Sequence, residues 1–407
     1  MCSSLSKMSF ALIAASILFI ESSFAQTDSS LNTRYLGNHS DDVEALSLSS
    51  NNRFIVSGGW DKAIQVFYVD SNFTHMQTLS GHRSAVSALS FNKDATAFVS
   101  GGKDYKVLVW RLNPYIDSFM LEAQISNVHS AGINAVLYAP TGSMVYTGGD
   151  DGKILIYNVL KESSKVIDNE SPVHGIAMGS NRRYLYCVDA TPIVKVYDVG
   201  GSLFKSYEGH SDEVNAIAIS ANNQFFVTGS SDKTAIIWNL VTGKKKFTLV
   251  GHEWKVTSLT ISADNKYVVT GSNDGSVKIW DAEKGTLVQS FNDLGKNIRS
   301  VALSKDMTTI FIALHLPEGS NESGVMVINS GIQREVPMLP GQKGKNVGEV
   351  PDHLKKYLPA NSQGSGQTKT VTQSPSSNPS KPKPQNDKKK EVIKQTDEVI
   401  ITVEDQD

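Results

Sequence analysis

Cysteine, proline and net charge are all scarce in this chain of 407 residues. Two cysteines exclude a disulfide framework and a four-cysteine zinc site. A formal charge of -2 excludes a chain-wide basic field for nucleic acid and a polyacidic solvating protein alike. Of 13 prolines, eight lie beyond residue 335, so the body of the chain has few. Glycine is the opposite case: 31 residues imply many turns, and a hydrophobic content of 40% suffices for a buried core. Length alone suggests two or three domains, although one large β domain also fits.

Both ends differ from the middle. The N-terminus carries Lys7, about 13 apolar or small residues at positions 8–20, and Ser23-Phe24-Ala25 as a small-x-small site. That combination matches a secretory signal peptide over residues 1–25, and the run falls short of the ~20 residues of a membrane span. The competing explanations are a buried core helix and a misassigned start. Cleavage after Ala25 would remove Cys2 and leave Cys187 alone, so the mature domain would need no oxidising compartment to fold. Residues 336–407 contain no Phe or Trp and include a Ser/Thr/Gln/Asn/Lys-rich stretch at 361–386, the composition of a disordered tail. Within it, residues 381–390 carry +4 and residues 391–407 carry -5. The bland reading is a solvated tail that pairs with itself. The sharper one gives the lysines an anionic partner and lets the β-prone segment 398–404 add to a partner's sheet edge.

Between these ends one unit recurs. His39, His82, His129, His210 and His252 are each followed after 22 residues by an aspartate: Asp61, Asp104, Asp151, Asp232 and Asp274. Four positions ahead of each aspartate stands a hydroxyl: Ser57, Ser100, Thr147, Thr228 and Thr270. Six positions beyond it stands an aromatic ring: Phe67, Trp110, Tyr157, Trp238 and Trp280. Five copies with one spacing at four chemically distinct positions are not a chance pattern. Between the markers hydrophobicity alternates with period two, as in Val214-Asn215-Ala216-Ile217-Ala218-Ile219, and turn residues such as Ala221-Asn222-Asn223 separate the segments. Four short strands every ~40–45 residues make a propeller blade.

Gly81-His82…Trp110, Gly209-His210…Trp238 and Gly251-His252…Trp280-Asp281 resemble the WD-repeat β-propeller family, and the likeness spans about residues 32–330. Of these three copies only the last ends in a literal Trp-Asp. The resemblance implies that the His, the Ser/Thr, the turn Asp and the strand Trp form one hydrogen-bonded set inside each blade. Elementary chemistry agrees, since a turn Asp accepts from backbone N–H groups and from imidazole, and Trp brings apolar area with one donor. Tyr157 and Phe67 shorten the set, and Phe67 loses the donor. Two further units are degenerate. One, around Pro172-Val173-His174, lacks the Gly-His, places Cys187 in the hydroxyl slot and leaves His174 out of register. The other runs from Ile298 to Ile328 with an insertion at residues 314–324, and supplies only three strands. Residues 32–36 have no unit of their own and so complete that last blade. The expectation is an all-β, seven-bladed WD-repeat propeller over residues 26–335, closed by its N-terminal strand.

Five His/Asp/hydroxyl sets invite a reading as hydrolytic triads. Recurrence at fixed places in blade after blade argues instead for maintenance of the fold, and the same distribution argues against a metal site. Cys187, flanked by Tyr186 on a buried strand, reads as an inert thiol. Gly58-Gly59, Gly101-Gly102 and Gly148-Gly149 read as blade turns and not phosphate loops. No catalytic residue, cofactor or metal is expected. What remains is surface recognition. In WD-repeat proteins the loop after Gly-His and the residue before the turn Asp face one rim. Here the loop holds Arg83, Asp212, Glu213 and Trp254, and the second position holds Trp60, Lys103 and Asp150. Trp60 and Trp254 stand outside the core slots, and Trp is a leading hot-spot residue. The opposing reading folds each ring back over its own blade. Four sequons, at Asn38, Asn72, Asn169 and Asn321, suit a secretory protein but add little.

Three functions compete. The first is a rigid non-catalytic scaffold in the secretory pathway, extracellular or periplasmic, with no membrane span after signal cleavage and a protein or peptide on its rim. The second is a cytoplasmic assembly or regulatory subunit whose Lys-rich tail contacts a ribonucleoprotein, the propeller itself offering nucleic acid no basic field. The third is a secreted propeller enzyme or small-ligand binder using the central channel. It would need convergent polar residues at the channel mouth, and none is assignable from the sequence.

Overall fold

The computed structural model describes residues 33–332, apart from Ser71, Asn127, Pro140, Thr141 and residues 316–323. The signal-peptide and tail expectations, the sequon at Asn321 and most of the expected insertion therefore lie outside the described residues.

The described chain forms seven antiparallel sheets of four strands each. Every blade opens with an innermost strand: Val43–Leu48, Val86–Phe91, Ile133–Tyr138, Val173–Met178, Val214–Ile219, Val256–Ile261 and Lys296–Leu303. In blades one to six the next three strands follow outward in chain order. Blade seven continues only through Thr309–His315 and Val325–Asn329, and takes its outer strand, Arg34–Leu36, from the start of the described chain. Arg34 pairs with Val327 and Leu36 with Val325. Each innermost strand touches those of both neighbouring blades, and that of blade seven touches that of blade one. The expected seven-bladed propeller is thus closed by a borrowed strand.

Second strands such as Phe54–Gly59 and Ala97–Gly102 are buried along their whole length. Burial of every consecutive residue reflects a sheet covered on both faces. The core is accordingly divided into layers between neighbours. Phe54, Leu89, Phe98, Trp110 and Phe119 fill the layer between blades one and two. Leu36, Val43, Ile55, Phe67 and Phe311 fill that between blades seven and one. The glycine pairs read as turns belong instead to the ends of these second strands. A Cβ on Gly58 would stand 2.5 Å from Val86 Cγ1 of the next blade, and one on Gly59 would stand 2.3 Å from the carbonyl oxygen of Asp42. Glycine at the first position lets adjacent blades approach, and at the second it lets the loop entering the same blade lie against the strand.

Every innermost strand also carries a β-bulge near its start, at Glu44, Ser87, Asn134, His174, Asn215, Thr257 and Arg299. Bulges re-aim side chains, and five of these donate to a backbone carbonyl of the following blade. Asn134 reaches Val173 at 3.0 Å, His174 reaches Val214 at 3.2 Å and Asn215 reaches Val256 at 3.2 Å. Ser87 and Thr257 reach Ile133 and Ile298 in the same way. Arg299 joins blade seven to blade one through an ion pair of 3.1 Å with Glu44. His174, out of register for the blade network, belongs to this second, inter-blade set.

Deleting residues 33–36 would strip three ladder pairs and the buried Leu36 from the closing layer. The expected result is a fall of about 5 °C or more in the thermal midpoint followed by circular dichroism. A melt superimposable on that of the full chain would rule out this closure.

Candidate functional site

In blade two, Trp110 Nε1–H donates to Ser100 Oγ at 2.9 Å. Ser100 O–H then donates to His82 Nε2 at 2.8 Å, and His82 Nδ1–H to the Asp104 carboxylate at 2.9 Å. The direction follows from the carboxylate, which can only accept: the proton of the neutral imidazole sits on Nδ1, so Nε2 accepts from serine, whose oxygen accepts in turn from the indole. Blades five and six repeat the chain of bonds. Trp238 lies 2.9 Å from Thr228, which lies 2.8 Å from His210, itself 2.8 Å from Asp232. The Trp280–Thr270, Thr270–His252 and His252–Asp274 distances are 2.9, 2.8 and 2.9 Å. In blade three His129 bonds Thr147 at 2.7 Å and Asp151 at 2.9 Å, while Tyr157 packs into the apolar layer. In blade one His39 bonds Ser57 at 2.8 Å and Asp61 at 2.9 Å, and Phe67 has no donor to add.

Each of these aspartates also accepts from the backbone beside its histidine, as from Arg83 N to Asp104 at 2.7 Å and from Glu253 N to Asp274 at 2.9 Å. Two loops at one end of each of these five blades are therefore clamped together, and that end is the upper rim. Burial pushes these carboxyls up, but the histidine and backbone hydrogen bonds outweigh it and hold all five below the ordinary aspartate range. The order Asp–His–hydroxyl is that of a hydrolytic triad. Ser57, Ser100, Thr147, Thr228 and Thr270 are at most 1% exposed, however, and three of their oxygens already accept from tryptophan. A substrate carbonyl has no route to them.

Blade four has a network of its own that the sequence reading missed. Asn169 fills the histidine slot. Its Oδ1 accepts from Tyr197 O–H at 2.8 Å and faces Cys187 Sγ at 3.6 Å, while its Nδ2 donates to Asp189 at 2.8 Å. Asp189 is fully buried and pairs with Lys195 at 2.9 Å. The spacing that locates the other histidines lands on this amide, so the signal was present under a different residue type. Burial of Asn169 also removes its sequon from those able to carry a sugar on the folded chain. Burial first, and then Asp189, push the Cys187 thiol up, so it remains protonated.

The upper rim gathers the recognition candidates. Trp60, Lys103 and Asp150 lie in turns between second and third strands, and Arg83, Asp212, Glu213 and Trp254 lie in loops entering innermost strands. Several are occupied with one another. Lys103 stands 3.2 Å from Asp150 and also donates to Asn134. Asp212 accepts from the Glu213 backbone at 2.8 Å, and Glu213 accepts from Ser231 at 2.9 Å. Trp60 is 50% exposed and gives its indole proton to Glu44 at 2.6 Å. Trp254, 61% exposed, keeps its ring in solvent.

A cavity of about 290 Å³ opens between them at the channel mouth, lined by Trp60, Lys103, Lys255 and six of the bulged residues. This is the convergent polar set that the sequence reading could not assign. Glu44 anchors it: one carboxylate oxygen lies 2.6 Å from Trp60 Nε1, 3.0 Å from His315 Nε2 and 3.1 Å from Arg299. Burial pushes this carboxyl up, yet His315, Arg299 and Trp60 outweigh it and hold its pKa at about 2. Among the described residues no group of three or more His, Cys, Asp or Glu side chains is placed to hold a metal ion, and no helix is long and apolar enough to cross a membrane.

Comparison with known proteins agrees with this geometry. The family described as "WD domain, G-beta repeat" matches residues 30–67, 73–111, 123–158, 201–239 and 243–281. With seven blades in the structure, the chain belongs to the WD-repeat β-propeller family. Among curated proteins, it is 47% identical over 47 residues to "Pleiotropic regulator 1" of Homo sapiens, covering 12% of this chain and 9% of that protein. It is 43% identical over 47 residues to "Pre-mRNA-splicing factor PRP46" of Yarrowia lipolytica, covering 12% and 11%. It is 30% identical over 85 residues to "WD repeat-containing protein 1" of Mus musculus, covering 20% and 14%. The chain therefore spans only a small part of each relative's length.

Two outcomes follow. His82→Ala leaves the Asp104 carboxylate buried without its main donor, and should cost about 2–3 kcal/mol in urea unfolding, against about 0.5 kcal/mol or less for the exposed Arg83→Ala. Equal effects would deny the network its structural role. The fold favours the deprotonated form of Glu44 and of the five turn aspartates, so their stabilisation is complete above the ordinary values of 4.5 and 3.8 and is lost as pH falls through the depressed folded values. Denaturant midpoints should fall steeply between pH 4.5 and about 2, and Glu44→Gln should remove part of the fall. A midpoint independent of pH across that window would contradict the assignment.

Proposed function

We propose that this chain is a non-catalytic interaction scaffold that binds a protein or peptide partner on its upper rim. The observation that carries this reading is the exposed Trp254 ring beside a polar channel mouth, on loops held rigid by the blade networks. Tryptophan on a pre-ordered surface supplies large contact area at little entropic cost. Trp60, Lys103, Asp150, Arg83, Asp212 and Glu213 complete the contact surface. Membership of the WD-repeat family supports the scaffold, and the inaccessible hydroxyls of the five sets speak against hydrolysis. The channel mouth holds one carboxylate, Glu44, already saturated by its own donors, which leaves it poorly suited to general-base chemistry.

Residues 1–25 support a place in the secretory pathway for this scaffold. A second reading is a cytoplasmic assembly or regulatory subunit whose tail lysines touch a ribonucleoprotein, and the splicing-factor name of one relative favours it. N-terminal sequencing of the mature protein separates the two: a new terminus at Gln26 supports the first, and an intact Met1 with a cytosolic pool supports the second.

Trp254→Ala should weaken binding to a captured partner by about 2 kcal/mol, or roughly thirtyfold, with a smaller loss for Trp60→Ala. Calorimetry showing wild-type affinity in both variants would discard the rim as the recognition surface.

A further inference from the structure

The opposite end of the propeller is built differently. In blades two to five the turn joining the third strand to the outer strand presents bulky apolar side chains to solvent. Blade two offers Tyr115 and Ile116, blade three Leu160, blade four Val199 and blade five Val241. Tyr115 is 95% exposed, Leu160 79% and Val241 75%. The equivalent turn of blade one tucks Phe73 against Phe311, with ring centroids 5.6 Å apart, and that of blade six is Glu283-Lys284-Gly285. The apolar tips are therefore confined to four consecutive blades.

Positive charge covers three of these four blades. The lower ends of blades three to five carry Lys161, Lys165, Arg182, Arg183, Lys205 and Lys244, none in an ion pair among the described residues. They face only Glu162 and Asp198 there, and Asp198 is engaged in its own turn, accepting from Ser202 N at 2.9 Å. The lysines also reach from blade to blade. Lys165 donates to the carbonyl of Gly200 beside Val199, the Lys205 ammonium occupies the place a Cβ of Gly243 would take, and Lys246 donates to Ala282 at 3.1 Å. Phe204, also exposed, stacks on Tyr184 of the same blade at 4.4 Å.

We propose that the lower ends of blades two to five form a docking surface for an anionic lipid bilayer, in which the apolar tips enter the interface and the lysines and arginines meet headgroup charges. Charge complementarity selects an anionic occupant, and the spacing selects a surface over a peptide. The tips stand on four separate turns, and a cavity at this end, lined by residues such as Leu48, Ile261 and Leu303, belongs to blades one, six and seven. The four are equivalent turns of adjacent blades and so open at one end of the ring. Apolar tips ringed by basic side chains with long methylene stems, beside an interfacial aromatic pair, are the chemistry of a membrane-facing surface. The upper rim would then face away from the bilayer.

The test is co-sedimentation of the full chain with vesicles of phosphatidylcholine and phosphatidylserine, against vesicles of phosphatidylcholine alone. Binding is expected only with phosphatidylserine, weakening as salt rises. Leu160→Ser with Val241→Ser, and separately Lys161→Glu with Lys244→Glu, should each reduce it by about tenfold or more while the thermal melt stays unchanged. No binding to the mixed vesicles would overturn the proposal. So would wild-type binding in both variants together with loss in a Lys388→Gln, Lys389→Gln, Lys390→Gln chain, which would move attachment to the tail. Retention of poly-glutamate by the wild type, lost with Lys161→Glu and Lys244→Glu, in the absence of vesicle binding would reassign the patch to an acidic polypeptide.

Discussion

Closure of the ring is the constraint on which everything else rests. A sheet with two apolar faces needs a neighbour on each side, and seven such sheets satisfy one another only as a cycle. An open row would leave one face of the first blade and one face of the seventh in water. The layer between them, with Ile55, Phe67 and Phe311, is covered because the chain returns to its start and borrows Arg34–Leu36. Three residues of strand thereby secure an interface between elements almost three hundred positions apart. The Arg299–Glu44 pair adds a polar contact across the same junction, where the bulged residue of blade seven meets a carboxylate as those of five other blades meet a backbone carbonyl.

Within that ring, polar side chains do work that apolar packing cannot. An imidazole and a carboxylate buried between sheets are costly unless every donor and acceptor is matched. The Trp–Ser/Thr–His–Asp chain meets this condition by a fixed order of proton donation, and blade four meets it by another set of groups, Tyr197, Asn169, Asp189 and Lys195. What the two solutions share is geometric: each ties the loop entering a blade to the buried strands behind it. A rim assembled from such loops presents its side chains with little entropy left to lose, which is what recognition by a few large residues requires.

The two ends of the propeller consequently carry different chemistry. The upper end is a ring of bulged, mutually bonded polar residues with Trp254 standing outside it. The lower end, where Asn and Asp side chains cap the turns, exposes apolar tips and lysines outside ion pairs over one arc. A single repeat thus yields two unlike surfaces, because the blade network involves only the upper turns.

The repeat was legible in the sequence because its members are bound to one another within a blade, so their spacing is set by local chain length: His210, Thr228, Asp232 and Trp238 recur at the intervals that strand and turn lengths impose. Closure was legible too, since the last unit was one strand short and residues 32–36 had no other place. The glycine pairs were misplaced because their first members face Val86, Ile133 or Val173 of the next blade, a contact that no local pattern encodes. Asn169 was missed since its spacing was right and its chemistry unexpected. The channel mouth was invisible altogether: Glu44, Ser87, Asn134, Asn215, Thr257 and Arg299 are of five residue types, and a bulge leaves no mark in the sequence. Short-range periodicity decided the blade, its number and its internal bonds. The convergence of six bulged side chains on one cavity came only with the closed ring, because distance around a ring depends on all the blades at once.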